Sequence, residues 1–366
     1  MTLLALLAGS LGLLGAQDVR AEIRVGVAGP LTGSVQWLGE QQALGAERAV
    51  VDLNAGGGVL GQEVVIVPVD DACDEGQAVA AARQLVDEEV VFVNGHVCSH
   101  TSIAASKIYE DAGIVMISPA STNPRVTDEG GSNVFRVAGR DDDQGVVAGD
   151  YLADQWADGK IAILHDGQAY GEGLAKATKA RLNERGVDEV LFEQYEPELA
   201  DYTPLVDQML SAGVDVLYVG GYANEAALIL RQASERGAKL QLVSADAVTS
   251  DDFLIVSGEA GRGTLFTFGP DARENEAAAE VVASLREEEG YEPAGYTLYS
   301  YAILQAWAQA VEEAGSTDPD AVIAALRSGT FDTVLGEIGF DEKGDVTGVD
   351  TYVWYVWEDD QYVPVK

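Results

Sequence analysis

The alternation of short β-branched runs with longer helical patterns is the feature that most constrains the fold of this 366-residue chain. Strand patterns at 23–28, 64–69, 90–94 and 114–118 are separated by helix patterns at 39–54, 76–88 and 102–111. The same rhythm restarts at 160–165 and continues to a strand pattern at 264–268. Because parallel strands need crossover segments, usually helices, this order predicts an α/β fold with parallel sheets.

Two consecutive α/β units predict two doubly wound lobes. The last section runs from a helix pattern at 296–314 to the segment YVWYVWE at 352–358, and it has no strand–helix repeat of its own. We therefore expect this section to complete the two earlier lobes, so that the chain crosses between them more than once. The interface between two such lobes is a natural place for a ligand cleft.

The first 21 residues have the pattern of a secretory signal peptide. Residues 3–14 form an apolar run that is too short to span a bilayer, and Val19-Arg20-Ala21 offers a small-x-Ala cleavage site. Cleavage after Ala21 would give a mature chain that starts at Glu22, and cleavage after Ala16 is the alternative. We expect an exported protein that is soluble after cleavage.

Cys73 and Cys98 are the only two cysteines of the chain. In the oxidising compartment that export implies, they predict one disulfide, which contributes roughly 3–4 kcal/mol to stability in the chain-entropy model. Two free buried thiols are the alternative.

The charge balance is strongly acidic, with 61 Asp and Glu against 22 Lys and Arg and a formal net charge of −39. This excludes nucleic acid and anionic membranes as partners, because both require basic surfaces. Acidic runs such as DDD at 141–143 and EEE at 287–289 predict a solvated acidic coat. We interpret the coat as an adaptation to high salt, and an ordinary acidic secreted protein is the alternative.

Metal binding and catalysis find little support in the sequence. His96 and His100 are four residues apart, but they lie at a strand-to-helix turn, and no CxxC or HExxH motif occurs. Ser99 or Cys98 could act as a nucleophile, but the G-x-S-x-G pattern is absent. We expect no metal, no cofactor and no enzymatic activity.

Hydroxyl-rich loops at two neighbouring strand ends are better suited to binding an anion. The carboxyl ends of parallel strands are where ligands bind, and hydroxyls near helix starts can hold a carboxylate. N-capping of the helices is the alternative reading. The residues concerned are Ser99, Thr101, Ser102, Ser118, Ser121 and Thr122.

Several long segments resemble the periplasmic Leu/Ile/Val-binding proteins. These are VDDACDEGQAVAAARQLV, GHVCSHTSIAASKIYEDAGIVMISPAST, AILHDGQAYGEGLAKA, YVGGYANEAALILRQA and DTVLGEIGFDEKGDVTG. The resemblance implies a type I solute-binding protein with two lobes joined by a three-segment hinge. With it, we expect one lobe at 22–140 plus about 270–349, and the other at about 141–269 plus 350–366.

The resemblance also implies roles for individual residues. Cys73 and Cys98 match the family's disulfide, and Ser99 and Thr122, with the backbone of Ala120, match the positions that hold a ligand carboxylate. Tyr170 and Tyr222 match residues that close over the ligand, and Tyr296 matches an aromatic that packs on the aliphatic side chain. Asp246 matches the acid that receives the ammonium, although the best-known members have Glu there. Trp37 and Leu38 occupy a segment where one aromatic usually covers the pocket.

The function that this resemblance implies is capture of a neutral, branched-chain amino acid in the periplasm. The protein, expected to be a monomer, would deliver the amino acid to an ABC permease in the inner membrane. A binding protein for another amino acid or a small amide, and a soluble ligand sensor, are the alternatives.

Overall fold

The computed structural model describes residues 22–350 and 352–365, so the predicted signal peptide lies outside the described residues. The strands in chain order are β1 (Glu22–Gly29), β2 (Glu63–Asp70), β3 (Phe92–Gly95), β4 (Val115–Ser118), β5 (Val134–Arg136), β6 (Ile161–His165), β7 (Leu191–Gln194), β8 (Val216–Gly220), β9 (Gln241–Ser244), β10 (Leu265–Phe268), β11 (Thr330–Thr333), β12 (Gly336–Phe340), β13 (Val346–Thr347), β14 (Val353–Glu358) and β15 (Gln361–Pro364).

The helices cover most of the segments between the strands. They are α1 (Gln36–Ala55), α2 (Glu75–Asp87), α3 (Ser99–Ala112), α4 (Arg125–Asp128), α5 (Asp141–Gln155), α6 (Ala169–Glu184), α7 (Thr203–Ala212), α8 (Ala223–Glu235), α9 (Asp251–Ser257), α10 (Ala279–Glu288), α11 (Thr297–Ala314) and α12 (Pro319–Ser328).

Two large sheets form the cores of two lobes. The first sheet has the order β2-β1-β3-β4-β5 and is parallel throughout. The second has the order β15-β14-β10-β9-β8-β6-β7, in which β14 and β15 are antiparallel. The predicted fold class, two doubly wound parallel-sheet lobes, is therefore confirmed.

The local sequence explains where these elements form and end. Strand β6 is buried along its whole length, as expected for an apolar strand covered by helices on both faces. Helix α2 begins after Asp74, whose side chain accepts a hydrogen bond from the Gln77 N–H. Helix α3 ends at Gly113, whose φ of 67° is the left-handed conformation that glycine adopts easily.

The chain passes between the two lobes after β5, after β10 and after β13. The return from the second sheet places α11 along α1, and α12 against α11, in the first lobe. A small antiparallel sheet, β11-β12-β13, follows there before the chain enters β14. The residue boundaries given above for the two lobes remain a prediction.

Within residues 22–350 and 352–365, we find no helix that combines the length and the apolar character needed to cross a bilayer.

Candidate functional site

Loops from both sheets meet at one narrow cavity between the lobes. Strands β3 and β4 of the first sheet and β6, β8 and β9 of the second end beside it, as expected for ligand sites in open α/β sheets. Its lining residues are Leu38, Val97, Ser99, Ala120, Tyr170, Tyr222, Asp246, Ala247 and Tyr296.

Seven of the nine predicted ligand-binding residues lie in the lining of this cavity, and Trp37 and Thr122 do not. The sequence analysis left open whether Trp37 or Leu38 faces the pocket. Leu38 does, because adjacent residues of α1 point in different directions around the helix. Val97 and Ala247 were missed, although each lies within two residues of a predicted contact.

Asp246 forms the acidic end of the cavity. Its Oδ1 accepts a hydrogen bond from the Tyr170 hydroxyl at 3.1 Å, and its Oδ2 accepts one from the Tyr296 hydroxyl at 2.5 Å. Burial raises the pKa of the Asp246 carboxyl, although the hydrogen bonds from the two tyrosines act to lower it. Because Tyr170 and Tyr296 come from different lobes, this carboxyl links the two sides of the cleft.

Ser99 lines the cavity at the start of a helix. It is the first residue of α3, where the backbone N–H groups have no partner within the helix and favour a negative charge. Its Oγ accepts a hydrogen bond from the Asn123 N–H at 3.2 Å. This helix start can hold a carboxylate without an arginine.

The other hydroxyls of the two loops hold the loops together instead. Ser102 Oγ and Ser121 Oγ are 2.7 Å apart, and Ser118 Oγ donates to the His96 carbonyl oxygen. Thr101 Oγ1 donates to the Cys98 carbonyl oxygen within the first turn of α3. Of the six hydroxyl-bearing residues that the sequence analysis named in these loops, only Ser99 lines the cavity.

The disulfide between Cys73 and Cys98 is present, with the two Cα atoms 5.7 Å apart. It lies beside the cavity, because the Tyr222 hydroxyl is 3.8 Å from Cys73 Sγ. The two nearby histidines have structural partners: His100 Nε2 donates to the Cys73 carbonyl oxygen at 2.7 Å, and His96 Nδ1 lies 2.6 Å from Asp71 Oδ2. In the described part of the chain, no group of three or more His, Cys, Asp or Glu side chains is placed to hold a metal ion.

The interpretation of DDD at 141–143 as part of a solvated surface is wrong for Asp141. Asp142 and Asp143 are exposed, but Asp141 is only 1% exposed. Its backbone N–H donates to the Thr122 carbonyl oxygen where α5 begins. Burial, followed by the charge of Asp246, raises the pKa of Asp141 well above its ordinary value. Among the described residues, neither carboxyl oxygen of Asp141 nor the Thr122 hydroxyl makes a hydrogen bond of normal geometry.

Hydrogen bonds also cross the cleft outside the cavity. Asn224 Nδ2, in the first turn of α8, donates to the Ser34 carbonyl oxygen at 2.7 Å, and Asn123 Nδ2 donates to the Ala169 carbonyl oxygen at 2.6 Å. Each bond joins a loop of one lobe to a helix start of the other. The two lobes are therefore closed on each other in this structure.

Comparison with known proteins agrees with this architecture. Residues 22–362 match the family model described as periplasmic binding protein. The chain is 45% identical over 346 residues to "Leu/Ile/Val-binding protein homolog 2" of Brucella abortus (strain 2308), with 93% of each chain covered.

Two solved structures resemble the whole described fold. A leucine-binding protein, LivK, of Thermotoga maritima has a TM-score of 0.85 at 27% identity, covering 94% of this chain and 98% of the other. An ABC transporter substrate-binding protein of Desulfitobacterium hafniense, in complex with Leu, has a TM-score of 0.77 at 29% identity, covering 94% and 100%. With the match to the family model over nearly the whole described chain, these similarities show that the chain belongs to the periplasmic binding protein family.

Proposed function

We propose that this protein captures a neutral α-amino acid with an aliphatic side chain, of the Leu/Ile/Val class, in the cavity between its lobes. The observation that carries the proposal is the pairing, in one cavity, of a buried acid with a helix start that bears a hydroxyl. A zwitterion has one positive and one negative group, and this cavity offers a separate partner for each.

The polar ends of the cavity fix the orientation of the ligand. Its ammonium donates to Asp246, and its carboxylate accepts from the Ser99 hydroxyl and from the N–H groups at the start of α3. Each charge-assisted hydrogen bond contributes roughly 1.5–3 kcal/mol. Thr122, outside the lining, supports the site from beside Asp141, and Ala120 contributes backbone.

The remaining wall suits an aliphatic side chain. Leu38, Val97 and Ala247 are apolar, and the ring of Tyr296 lies beside them. Burial of a Leu-sized side chain contributes roughly 1.5–3 kcal/mol, so these few contacts suffice for micromolar affinity, which needs about 8 kcal/mol.

The proposal also includes the cellular location, the oligomeric state and the transport partner of the protein. We infer export with cleavage near Ala21, action as a monomer in the periplasm and delivery of the amino acid to an ABC permease in the inner membrane; the match to the periplasmic binding protein family supports export and delivery. Catalysis forms no part of the proposal: Cys98 is bonded to Cys73, and Ser99 Oγ accepts a hydrogen bond from the Asn123 backbone rather than contacting a base.

A thermal-shift screen against the twenty amino acids tests the class of ligand, because any ligand that binds only the folded protein raises Tm. We expect Leu, Ile and Val to give the largest shifts. Stabilisation by a polar or aromatic amino acid instead would assign the protein to another ligand, and the absence of any shift would reject amino-acid capture.

The Asp246→Asn variant tests the ammonium partner, because it keeps the side-chain volume but removes the charge. We expect the calorimetric Kd for leucine to rise by about 100-fold or more, as an ammonium buried without its partner costs roughly 3–5 kcal/mol. Asp251→Ala, a change of an exposed acid five residues further on, is the matched control and should leave Kd unchanged. An unaltered Kd in Asp246→Asn, with the fold intact by circular dichroism, would contradict this role of Asp246.

A further inference from the structure

Asn123 contacts both sides of the cleft, although it is not among the residues that line the cavity. It follows β4 of the first sheet and is only 4% exposed, and its Nδ2 donates to the Ala169 carbonyl oxygen at 2.6 Å. Ala169 is the first residue of α6, which follows β6 of the second sheet. The hydrogen bond therefore joins the two lobes at the residue that precedes Tyr170 of the cavity lining.

Contacts within the first lobe fix the direction of the Asn123 amide. Its Oδ1 accepts a hydrogen bond from the Arg125 N–H at 3.0 Å, so Nδ2 is the atom that faces Ala169. The Asn123 carbonyl oxygen accepts from Nη1 of the fully buried Arg136 at 2.8 Å. Because the amide is already oriented, little side-chain entropy is lost when its hydrogen bond to the second lobe forms.

The backbone of Asn123 also contacts the serine of the cavity lining. The Asn123 N–H donates to Ser99 Oγ at 3.2 Å. A hydroxyl oxygen that accepts this bond keeps its own hydrogen for another acceptor, which in the proposed function is the ligand carboxylate. One residue thus holds Ser99 through its backbone and the second lobe through its side chain.

Gly173 of α6 leaves the space that the Asn123 amide occupies. A Cβ built at Gly173 would lie 2.5 Å from Asn123 Nδ2, closer than side chains approach such an atom in folded proteins. Alanine is favoured over glycine inside a helix, so helix formation does not account for a glycine here. The second lobe therefore carries a gap that matches the amide of the first lobe.

We propose that Asn123 is a positioning residue that holds the lobes closed around the bound amino acid and slows its release. Its hydrogen bond to Ala169 joins residues of different lobes, so it must break before the cleft opens and the ligand leaves. It plays no part in the first encounter with the ligand, which takes place while the cleft is open. The proposal rests on the proposed function, because it requires a ligand in the cavity.

A second hydrogen bond across the cleft provides the comparison. Asn224 Nδ2 donates to the Ser34 carbonyl oxygen at 2.7 Å. The nearest atoms to a Cβ at Gly173 would belong to Asn123 and, at 4.0 Å, to Asp141. A substitution at residue 173 therefore acts on the hydrogen bond of Asn123 and not on that of Asn224.

Stopped-flow measurement of leucine binding separates release from capture. The fluorescence of the tryptophans, with Trp37 next to Leu38 of the lining, reports binding, and the observed rate against leucine concentration gives kon as slope and koff as intercept. In Asn123→Ala and in Gly173→Ala we expect koff to rise by about 3- to 10-fold, as for the loss of one neutral hydrogen bond, with kon unchanged. The calorimetric Kd for leucine should rise by the same factor.

Double variants test the contact itself. Once Asn123 has lost its amide, a Cβ at residue 173 displaces nothing, so Gly173→Ala should leave koff unchanged in the Asn123→Ala background. In the Asn224→Ala background, Gly173→Ala should raise koff by its full factor, since the two hydrogen bonds are separate. Equal effects of Gly173→Ala in the two backgrounds overturn the proposal.

The Tm of the ligand-free protein distinguishes positioning from a role in folding. Gly173→Ala should not lower this Tm, because alanine favours the helix, but it should reduce the gain in Tm that leucine produces. An equal loss of Tm with and without leucine assigns the contact to the fold and overturns the proposal.

Gly173→Ala decides even if Asn123→Ala fails to fold. A koff that Gly173→Ala does not change, with leucine still bound, overturns the role of Asn123 but leaves the proposed function intact. Failure of every amino acid to bind the wild-type protein overturns the proposed function and, with it, this role.

Discussion

The hydroxyls of Tyr170 and Tyr296 each donate a hydrogen bond to the Asp246 carboxylate. A carboxylate on a short side chain needs fixed donors to stay in one orientation, and Tyr170 and Tyr296 supply one donor to each oxygen. The aspartate is one methylene shorter than the glutamate of the best-known family members. The tyrosines hold it within the cavity lining despite this difference.

Removing the Tyr296 hydroxyl while keeping its ring tests this arrangement. In Tyr296→Phe we expect the Kd for leucine to rise by roughly 10- to 150-fold, because a charge-assisted hydrogen bond contributes about 1.5–3 kcal/mol. Calorimetry provides the measurement. Tyr301→Phe is the control, since the Tyr301 hydroxyl donates to Asp52, outside the cavity lining, at 2.9 Å. Equal effects of the two substitutions would contradict a specific role for Tyr296.

At the residue scale, the sequence predicted which loops surround the site but not how each side chain is used. Five of the seven predicted residues that line the cavity follow the ends of parallel strands in the two sheets, whereas Leu38 lies on α1 and Tyr296 precedes α11. The burial of Asp141 could not be read from DDD at 141–143, since it depends on where α5 crosses between the lobes. Thr122 lies next to Asp141 for the same reason.

At the scale of elements, the close packing of α1 against α11 sets the position of Tyr296. Gly45 makes this approach possible, because a Cβ built at Gly45 would lie 2.0 Å from the Thr297 carbonyl oxygen. The contact falls one residue from Tyr296. The first lobe therefore positions an aromatic of the site through a glycine that lies outside the cavity lining.

Gly45→Ala should force α1 and α11 apart. We expect a loss of about 1–3 kcal/mol in the free energy of unfolding, as in other overpacked cores, together with weaker leucine binding. Urea unfolding monitored by circular dichroism measures the first effect. Gly76→Ala, at an exposed position of α2, is the matched control, where we expect a change within about 0.5 kcal/mol. A Gly45→Ala protein as stable as Gly76→Ala would show that α11 does not depend on this contact.

The alternating pattern predicted the parallel strands and the helices between them, with ends that differ by a few residues. It did not predict β5, β15, α4, α5, α9, α10, α12 or the small sheet β11-β12-β13. Strand β5 has three residues, too few for a periodic pattern, and α5 follows a crossover between lobes. Their partners are neighbours in the chain, since β5 pairs with β4 and α5 packs on α6, so short length and the missing strand–helix rhythm explain why they were not predicted.

At the scale of the whole molecule, the acidic coat is the dominant surface property. The net charge of −39 repels itself in the compact state, and dissolved salt screens that repulsion. The many arginine–carboxylate pairs on the surface offset only part of it, because exposed pairs contribute little.

We therefore expect Tm to rise when KCl is increased from about 0.1 M to about 1 M, over which the Debye length falls from about 10 Å to about 3 Å. Differential scanning calorimetry measures the change. NaCl at the same concentrations is the control, since screening depends on ionic strength and not on the cation. A Tm that does not change with either salt would contradict adaptation to high salt and favour the alternative, an ordinary acidic secreted protein.

Because the chain passes three times between the lobes, each lobe receives its last elements only late in synthesis. Helix α11 packs on α1 from the far end of the sequence, and β14 and β15 join the second sheet only with residues 353–364. A ribosome that has made 300 residues has finished neither lobe, and no contiguous piece of the gene encodes one whole lobe. The second sheet therefore lacks two of its seven strands until residues 353–364 have been made.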